Sequence, residues 1–236
     1  MLSLTSLVTL SRKPSAALAH DGAAVVRGFL DADAASELKA TVEKLFSALA
    51  ECTSFANADL AHHYRDKQAI WLGELPAFLA ANNRALLPRY QALIDRVTER
   101  TQALFGAGWR FYSSRSFIRR MNPELRLPWH LDADTAKLDH PRCCNVWLPL
   151  DAVGRSRPSL ELIVGSHRKL RASVKQKDAP ALVASLGKPW SPRLGLGDAL
   201  VFDQFIYHRS QIVDGGIRTS CEFRFYRDDN PSATRP

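Results

Sequence analysis

The rhythm of apolar and polar positions changes near the middle of the chain. In the first half it is helical. Leu38, Val42, Leu45, Phe46 and Leu49 recur three or four residues apart, which lays one apolar stripe along a helix. Asp31 or Asp33 can cap its start. Tyr90, Leu93, Ile94, Val97 and Leu104 make a second stripe over residues 89–105, with Pro88 suited to the helix start and Gly106 to its end. Residues 51–75 hold no sustained period and read as irregular. Leu2–Leu10 reads as a short strand, and His20–Leu30 as a turn, a strand and a stop.

Beyond Gly108 the period falls to two. Trp109–Met121 is aromatic, β-branched and basic and reads as one long strand. In Cys143–Leu150, Val146, Leu148 and Leu150 share one face, with Asn145 and Trp147 on the other. Leu160–Val164, Ala199–His208 and Ile217–Tyr226 follow, broken by Pro and Gly. Leu170–Trp190 is a polar insertion and a candidate lid. Helices followed by seven or eight strands predict an α+β chain whose β part is a jelly-roll barrel, with the N-terminal helices packed on one sheet. The expected organisation is one domain over 1–236. Residues 1–108 would form a helical support, 109–228 the jelly-roll core and 229–236 a tail.

The chain's 236 residues suffice for a full core. Its 46% hydrophobic and 24% charged residues are ordinary for a soluble globular protein. The net charge of +8 points toward anionic partners. No apolar run approaches the ~20 residues of a membrane span. Arg12 and Lys13 follow the apolar start instead of preceding it, the wrong order for a secretory signal. Cys52, Cys143, Cys144 and Cys221 show no paired spacing and suit free thiols in a reducing compartment. The expected location is the cytoplasm.

The chemistry concentrates in Leu127-Pro128-Trp129-His130-Leu131-Asp132. In an extended strand, residues two apart point the same way. His130 and Asp132 would then stand side by side. That is two thirds of the 2-His-1-carboxylate set that holds non-haem Fe(II) and leaves positions open. His208, after the Gly197-Asp198 strand, is the candidate third ligand, and Arg218-Thr219-Ser220 follows ten residues later. On the last strand Arg218, Ser220, Glu222 and Arg224 share one face. Arg218 suits a bidentate contact to a carboxylate, and Ser220 can add a hydroxyl.

These features resemble the phytanoyl-CoA dioxygenase family of Fe(II)/2-oxoglutarate oxygenases. The resemblance runs from Asp21-Gly22 and Arg27-Gly28-Phe29-Leu30 to Arg218. It rests on Trp129-His130-Leu131-Asp132, Gly165-Ser166-His167-Arg168, Gly197-Asp198, and His208 with Arg218-Thr219-Ser220. It departs at Val164, where the family usually has Pro, and at Pro158-Ser159-Leu160. The resemblance implies a double-stranded β-helix, with His130, Asp132 and His208 as iron ligands. Arg218 and Ser220 would take the distal carboxylate of 2-oxoglutarate. It also implies a hydroxylase using Fe(II), 2-oxoglutarate and O2, releasing succinate and CO2. Asp132 disfavours halogenation, since related halogenases put a small residue there.

Other residues leave alternatives open. Asn145 and Trp147 can touch cosubstrate or substrate, or pack. Of Arg119 and Arg120, one is expected to face solvent. His62-His63-Tyr64-Arg65 can line a pocket mouth or form a polar loop. Asp134 reads as a surface or supporting group. His140 with Cys143 and Cys144 lacks a fourth zinc ligand. His167 rivals His208, though Gly-Ser-His in the family caps a loop. Arg115, Arg119, Arg120, Arg126 and Arg224 suggest a small anionic substrate, such as an acylated amino acid or another carboxylic acid, with a CoA thioester as the other candidate. Surface ion pairing would explain the same arginines. The R-x5-R spacing of Arg218 and Arg224 and the basic charge fit an AlkB-like nucleic-acid demethylase, but no basic-aromatic nucleotide segment stands out, so nucleic acid is not the expected partner. A non-catalytic barrel is the third reading.

Overall fold

The computed structural model describes residues 12–52, 58–121, 123–138, 140–172, 176–213 and 216–227. The strand expected over Leu2–Leu10 and the tail from 229 lie outside them. In chain order the elements are α1 (Pro14–Asp21), β1 (Ala23–Val26), α2 (Ala32–Glu51), α3 (Ala58–Lys67), β2 (Ala69–Trp71), α4 (Leu75–Asn82), α5 (Leu87–Phe105), β3 (Trp109–Phe111), β4 (Phe117–Met121), α6 (Asp132–Thr135), β5 (Cys143–Pro149), β6 (Leu160–Leu162), α7 (Ala179–Leu186), β7 (Ala199–Asp203), β8 (His208–Ser210) and β9 (Arg218–Arg227).

The two helical stripes fold as their spacing demands. Asp31, not Asp33, caps α2 by accepting the Ala34 N–H at 2.8 Å. Leu38, Val42, Leu45, Phe46 and Leu49 are buried beneath it. In α5, Pro88 sits in the first turn, where no N–H is needed, and Tyr90, Leu93, Ile94 and Val97 are buried.

Seven strands form one sheet in the order β1-β7-β5-β9-β4-β2, with β3 also on β9, and β6 and β8 form a second. Every pairing is antiparallel. One face of the large sheet, with Val146, Leu148, Val201, Phe223 and Phe225, packs on the helices in a single core. Its other face sends Trp147, Leu200 and Phe202 toward Leu160, Leu162 and Ile206 of the smaller sheet's side. The helices thus cover one face of the large sheet, and the site lies on the other.

Three expectations are corrected. Residues 51–75 are not irregular throughout, for they contain α3 and β2. Helix α3 is mostly polar in sequence and carries no apolar repeat; of its described side chains Leu60 is the buried one. Strand β2 is fixed by its tertiary pairing with β4. Trp109–Met121 is two strands, not one. Both pair with β9, but the chain steps away between them. The Ser116 hydroxyl takes the Arg224 N–H at 2.8 Å in place of a backbone acceptor. Ala199–His208 likewise divides, because Gln204–Tyr207 carries the chain from the large sheet to the small one. The Asp203 carboxylate accepts the Phe205 N–H at that corner.

The Gly197-Asp198 and Arg27-Gly28 elements meet. Gly197 has φ +88°, and a Cβ there would lie 2.7 Å from the Leu30 carbonyl oxygen. Asp198 pairs with Arg27 at 2.6 Å and accepts the Gly28 N–H. The 170–190 insertion docks through Leu170, Leu182, Val183 and Leu186 against Trp129, Leu131, Ile163 and Tyr207.

Candidate metal centre and its cavity

Trp129-His130-Leu131-Asp132 does not form a strand. His130 makes an isolated antiparallel bridge to His208, with both backbone N–H···O bonds in place at 2.9 and 3.1 Å. Leu131 is extended (φ −109°, ψ 138°), and Asp132 begins the one-turn helix α6. That one extended residue is enough to turn His130 and Asp132 to the same side. Trp129 and Leu131 face the opposite side, in the apolar cluster with Tyr207. The bridge also brings in His208, whose ring centroid lies 4.2 Å from that of His130.

One nitrogen of each imidazole is anchored. His130 Nδ1 lies 2.7 Å from the Pro128 carbonyl oxygen, and His208 Nδ1 lies 2.9 Å from that of Ile206. A carbonyl only accepts, so Nδ1 carries the proton and Nε2 keeps its lone pair. Both Nε2 atoms aim at Asp132 Oδ1, at 3.8 and 3.9 Å. All three ligand atoms fall within 4.8 Å of one another, so the three buried residues can hold a metal ion. Among the described residues no other trio of His, Cys, Asp or Glu comes together this way. That removes the zinc reading of His140, whose ring stacks on Tyr226. His167 sits apart, its Nε2 3.4 Å from the Ala19 carbonyl oxygen.

Strand register supplies the next layer. Arg224 on β9 and Asn145 on β5 are direct cross-strand partners. Arg224 Nη2 donates to Asp132 Oδ1 at 3.0 Å, and Asn145 Nδ2 donates to Oδ2 at 3.1 Å. Burial alone would raise the Asp132 pKa. The charge of the Arg224 guanidinium, which also hydrogen-bonds the carboxylate, leads the causes that outweigh it and hold the carboxyl well below its usual range. His208 moves the other way from an ordinary imidazole, down to about 3, chiefly through burial and then through His130. It stays neutral, as a ligand must.

Arg218 is 1% exposed. Its Nη1 donates to the Pro158 and Ser159 carbonyls at 2.7 and 2.5 Å, so the segment that departs from the family pattern buttresses this arginine. The Trp147 ring lies 5.0 Å from its guanidinium carbon. Burial pulls its pKa down to about 10. Arg218 Nε and Ser220 Oγ are buried and have no hydrogen-bond partner among the described residues.

A cavity of about 190 Å³ opens on these groups, lined by Trp71, Phe117, Arg119, Met121, Leu127, His130, Asp132, Thr135, Ala136, Leu160, Phe202, His208, Ser210, Arg218, Glu222 and Arg224. Trp147, Asn145 and Ser220 are not among the residues that line it. Arg119 lies on the lining, whereas Arg120 turns away to pair with Glu43 at 2.9 Å. The ring centres of His63 and Trp71 lie 4.7 Å apart, and His63 is not among the lining residues. Asp134 is exposed. A larger groove of about 580 Å³, lined by Trp129, Val183, Pro189 and Arg209 among others, contains none of the three candidate ligands.

Sequence reasoning missed that Asn145 and Arg224 both hold Asp132, and that Glu222 lines the cavity. The β9 alternation, which already places Glu222 beside Arg218, was the signal for the second.

Two antiparallel sheets of cupin-like form, with a His-Asp-His trio between them, define the class of non-haem iron oxygenases. The family described as "Phytanoyl-CoA dioxygenase (PhyH)" matches residues 18–218, and the chain belongs to it. It is a non-haem, Fe/2-oxoglutarate-dependent enzyme. Solved structures share the fold at low identity. AviO1 from Streptomyces viridochromogenes Tue57 is 20% identical with a TM-score of 0.65, over 94% of this chain and 96% of its own. EctD from S. alaskensis with 2-oxoglutarate and 5-hydroxyectoine is 19% identical with a TM-score of 0.67, over 96% and 82%. HygX from Streptomyces hygroscopicus with nickel and 2-oxoglutarate is 15% identical with a TM-score of 0.61, over 93% and 88%. None of the curated proteins compared with the chain by sequence matches it. No described helix is long and apolar enough to cross a membrane.

Proposed function

We propose that this enzyme hydroxylates a small organic substrate bearing an anionic group, as a single catalytic domain. The observation that carries the reading is the pair of anchored imidazoles aimed at one carboxylate, with a buried arginine of unmet hydrogen-bonding capacity on the same cavity. His130 Nε2, His208 Nε2 and an Asp132 oxygen would hold the iron. Bound with 2-oxoglutarate, iron supplies the O2-dependent oxidation that releases succinate and CO2 while oxidising a substrate C–H bond.

The protein's own groups orient these parts. Asn145 and Arg224 keep Asp132 ionised and fix its direction. Arg224 serves the metal ligand, and its role as a substrate contact is set aside. Arg218 would bind the distal carboxylate of 2-oxoglutarate, with Ser220 adding a hydroxyl and Trp147 packing beneath the guanidinium. Arg119 is the proposed receptor for the substrate's anionic group. A cavity of about 190 Å³ favours a compact ligand. The family match and the neighbours named above do not support nucleic-acid demethylation. Four free cysteines fit the reducing cytoplasm.

The test is a panel of matched small carboxylic acids and their methyl esters, scored by substrate-dependent succinate release. The proposal expects acids to stimulate turnover and esters not to. Equal stimulation by both, or by neutral compounds alone, overturns the anionic assignment.

A further inference from the structure

Five charged side chains line the cavity: Arg119, Arg218, Arg224, Asp132 and Glu222. Asp132 and Arg224 pair with one another at 3.0 Å. Under the proposed function Arg218 is met by the cosubstrate. Arg119 and Glu222 remain. The Arg119 guanidinium lies 4.6 Å from the centre of the Phe117 ring, and its Nε is buried without a partner. Glu222 is 9% exposed. Its ion-pair contact is Arg224 at 3.7 Å, beyond a good hydrogen bond, and its charge also acts on Arg218. That guanidinium already donates to Asp132 and to the Arg115 carbonyl.

Arg119 and Glu222 do not neutralise one another. Arg119 stands opposite Ser220, and Glu222 opposite Phe117, so the two are diagonal on adjacent strands. Diagonal neighbours have Cα atoms roughly 7–8 Å apart. Both side chains belong to the same face and the same cavity wall. Among the described residues Arg119 has no ion pair, and that of Glu222 is beyond hydrogen-bond distance, so both keep capacity for a ligand's charge. A substrate with an anion alone would answer Arg119, yet it would bring like charge toward Glu222.

We infer that Arg119 and Glu222 form a two-charge clamp for a zwitterionic substrate, its anionic group on Arg119 and an ammonium or protonated amine on Glu222. The inference rests on the oxygenase reading above and narrows its substrate class. Glu222 here is a specificity residue, outside the metal-binding set.

The experiment uses wild-type protein loaded anaerobically with Fe(II) and 2-oxoglutarate, which carries a visible charge-transfer band. The probes are matched sets of small amino acids, their N-acetyl derivatives and their methyl esters. Binding is read from the change each causes in the band. Free zwitterions are expected to bind about 10-fold or more tightly than either derivative. Glu222→Gln should remove the preference over the N-acetyl acid, and Arg119→Gln the preference over the ester. The separate effects of the two variants distinguish a clamp from a merely structural role, and either variant alone suffices if the other does not fold. No preference for zwitterions in the wild type, including no binding by any probe, overturns the clamp. So does a Glu222→Gln variant that keeps the preference. Absence of the band in the wild type instead overturns the oxygenase reading beneath it.

Discussion

The metal-binding end of the cavity and its outer wall are built on opposite terms. At the metal end the ligand side chains themselves are held by protein partners, although Asn145 Oδ1 and Arg224 Nε behind them are unpartnered among the described residues. Both imidazole Nδ1 atoms are anchored on carbonyls, and both oxygens of Asp132 receive a hydrogen bond. Along the wall, Arg218 Nε, Ser220 Oγ and Arg119 Nε are buried and unmet. Buried polar groups are normally satisfied, so the difference is informative. The metal end is organised before anything binds. The wall is complete only with ligands that carry their own charges.

The largest effect should follow from breaking the organised end. His130→Ala or His208→Ala is expected to abolish iron binding and 2-oxoglutarate turnover in a folded chain. A variant that retains wild-type iron affinity and succinate production would refute the ligand assignment.

On the wall, Arg218→Ala should raise the 2-oxoglutarate requirement by about 30-fold or more, because losing one partner of a buried charge pair costs ~2–5 kcal/mol. Iron affinity should change far less. An unchanged 2-oxoglutarate titration would move the carboxylate site elsewhere.

How much of this contrast was legible in the sequence depends on which residues set it. The trio could be read because ligand chemistry restricts it to a few residue types. The expected strand for His130 and Asp132 was wrong, but the expected juxtaposition needed only an extended Leu131. The apolar stripes of α2 and α5 were legible because burial imposes a period. Helix α3 was not, for its mostly polar sequence shows no such period. The clamp on Asp132 was hidden for another reason. Asn145 and Arg224 lie 79 positions apart, and only the β5–β9 register makes them partners. Alternation tells which face a residue takes, but not what stands opposite.

A smaller effect should come from loosening that clamp. Asn145→Ala or Arg224→Lys removes or shortens a donor to Asp132 while leaving the three ligands in place. Iron affinity should fall by about 10–100-fold, the usual cost of losing a group that orients a ligand. Competition with a chelator measures it. Affinity within about twofold of wild type would mean that the metal end is not organised by these donors.

The smallest effect concerns pH. His208 takes a proton in the folded chain only near pH 3, against an ordinary value of 6.5. Between those values the unfolded chain binds the proton and the folded chain does not, so stability falls as pH falls. His167, also lowered by burial, adds the same sign. Thermal melts of metal-stripped protein should therefore drop between pH 7 and pH 4, by about 2–4 °C for each kcal/mol in a chain of this size. His208→Gln should flatten the slope. A melting temperature constant across that range would contradict the neutral, buried His208.

The most direct measurement is an anomalous difference map from a crystal grown anaerobically with Fe(II) and 2-oxoglutarate. The account predicts an iron peak between His130 Nε2, His208 Nε2 and the Asp132 carboxylate, with the cosubstrate's distal carboxylate on Arg218. An iron peak beside His140 or His167, or none at the trio, would contradict it.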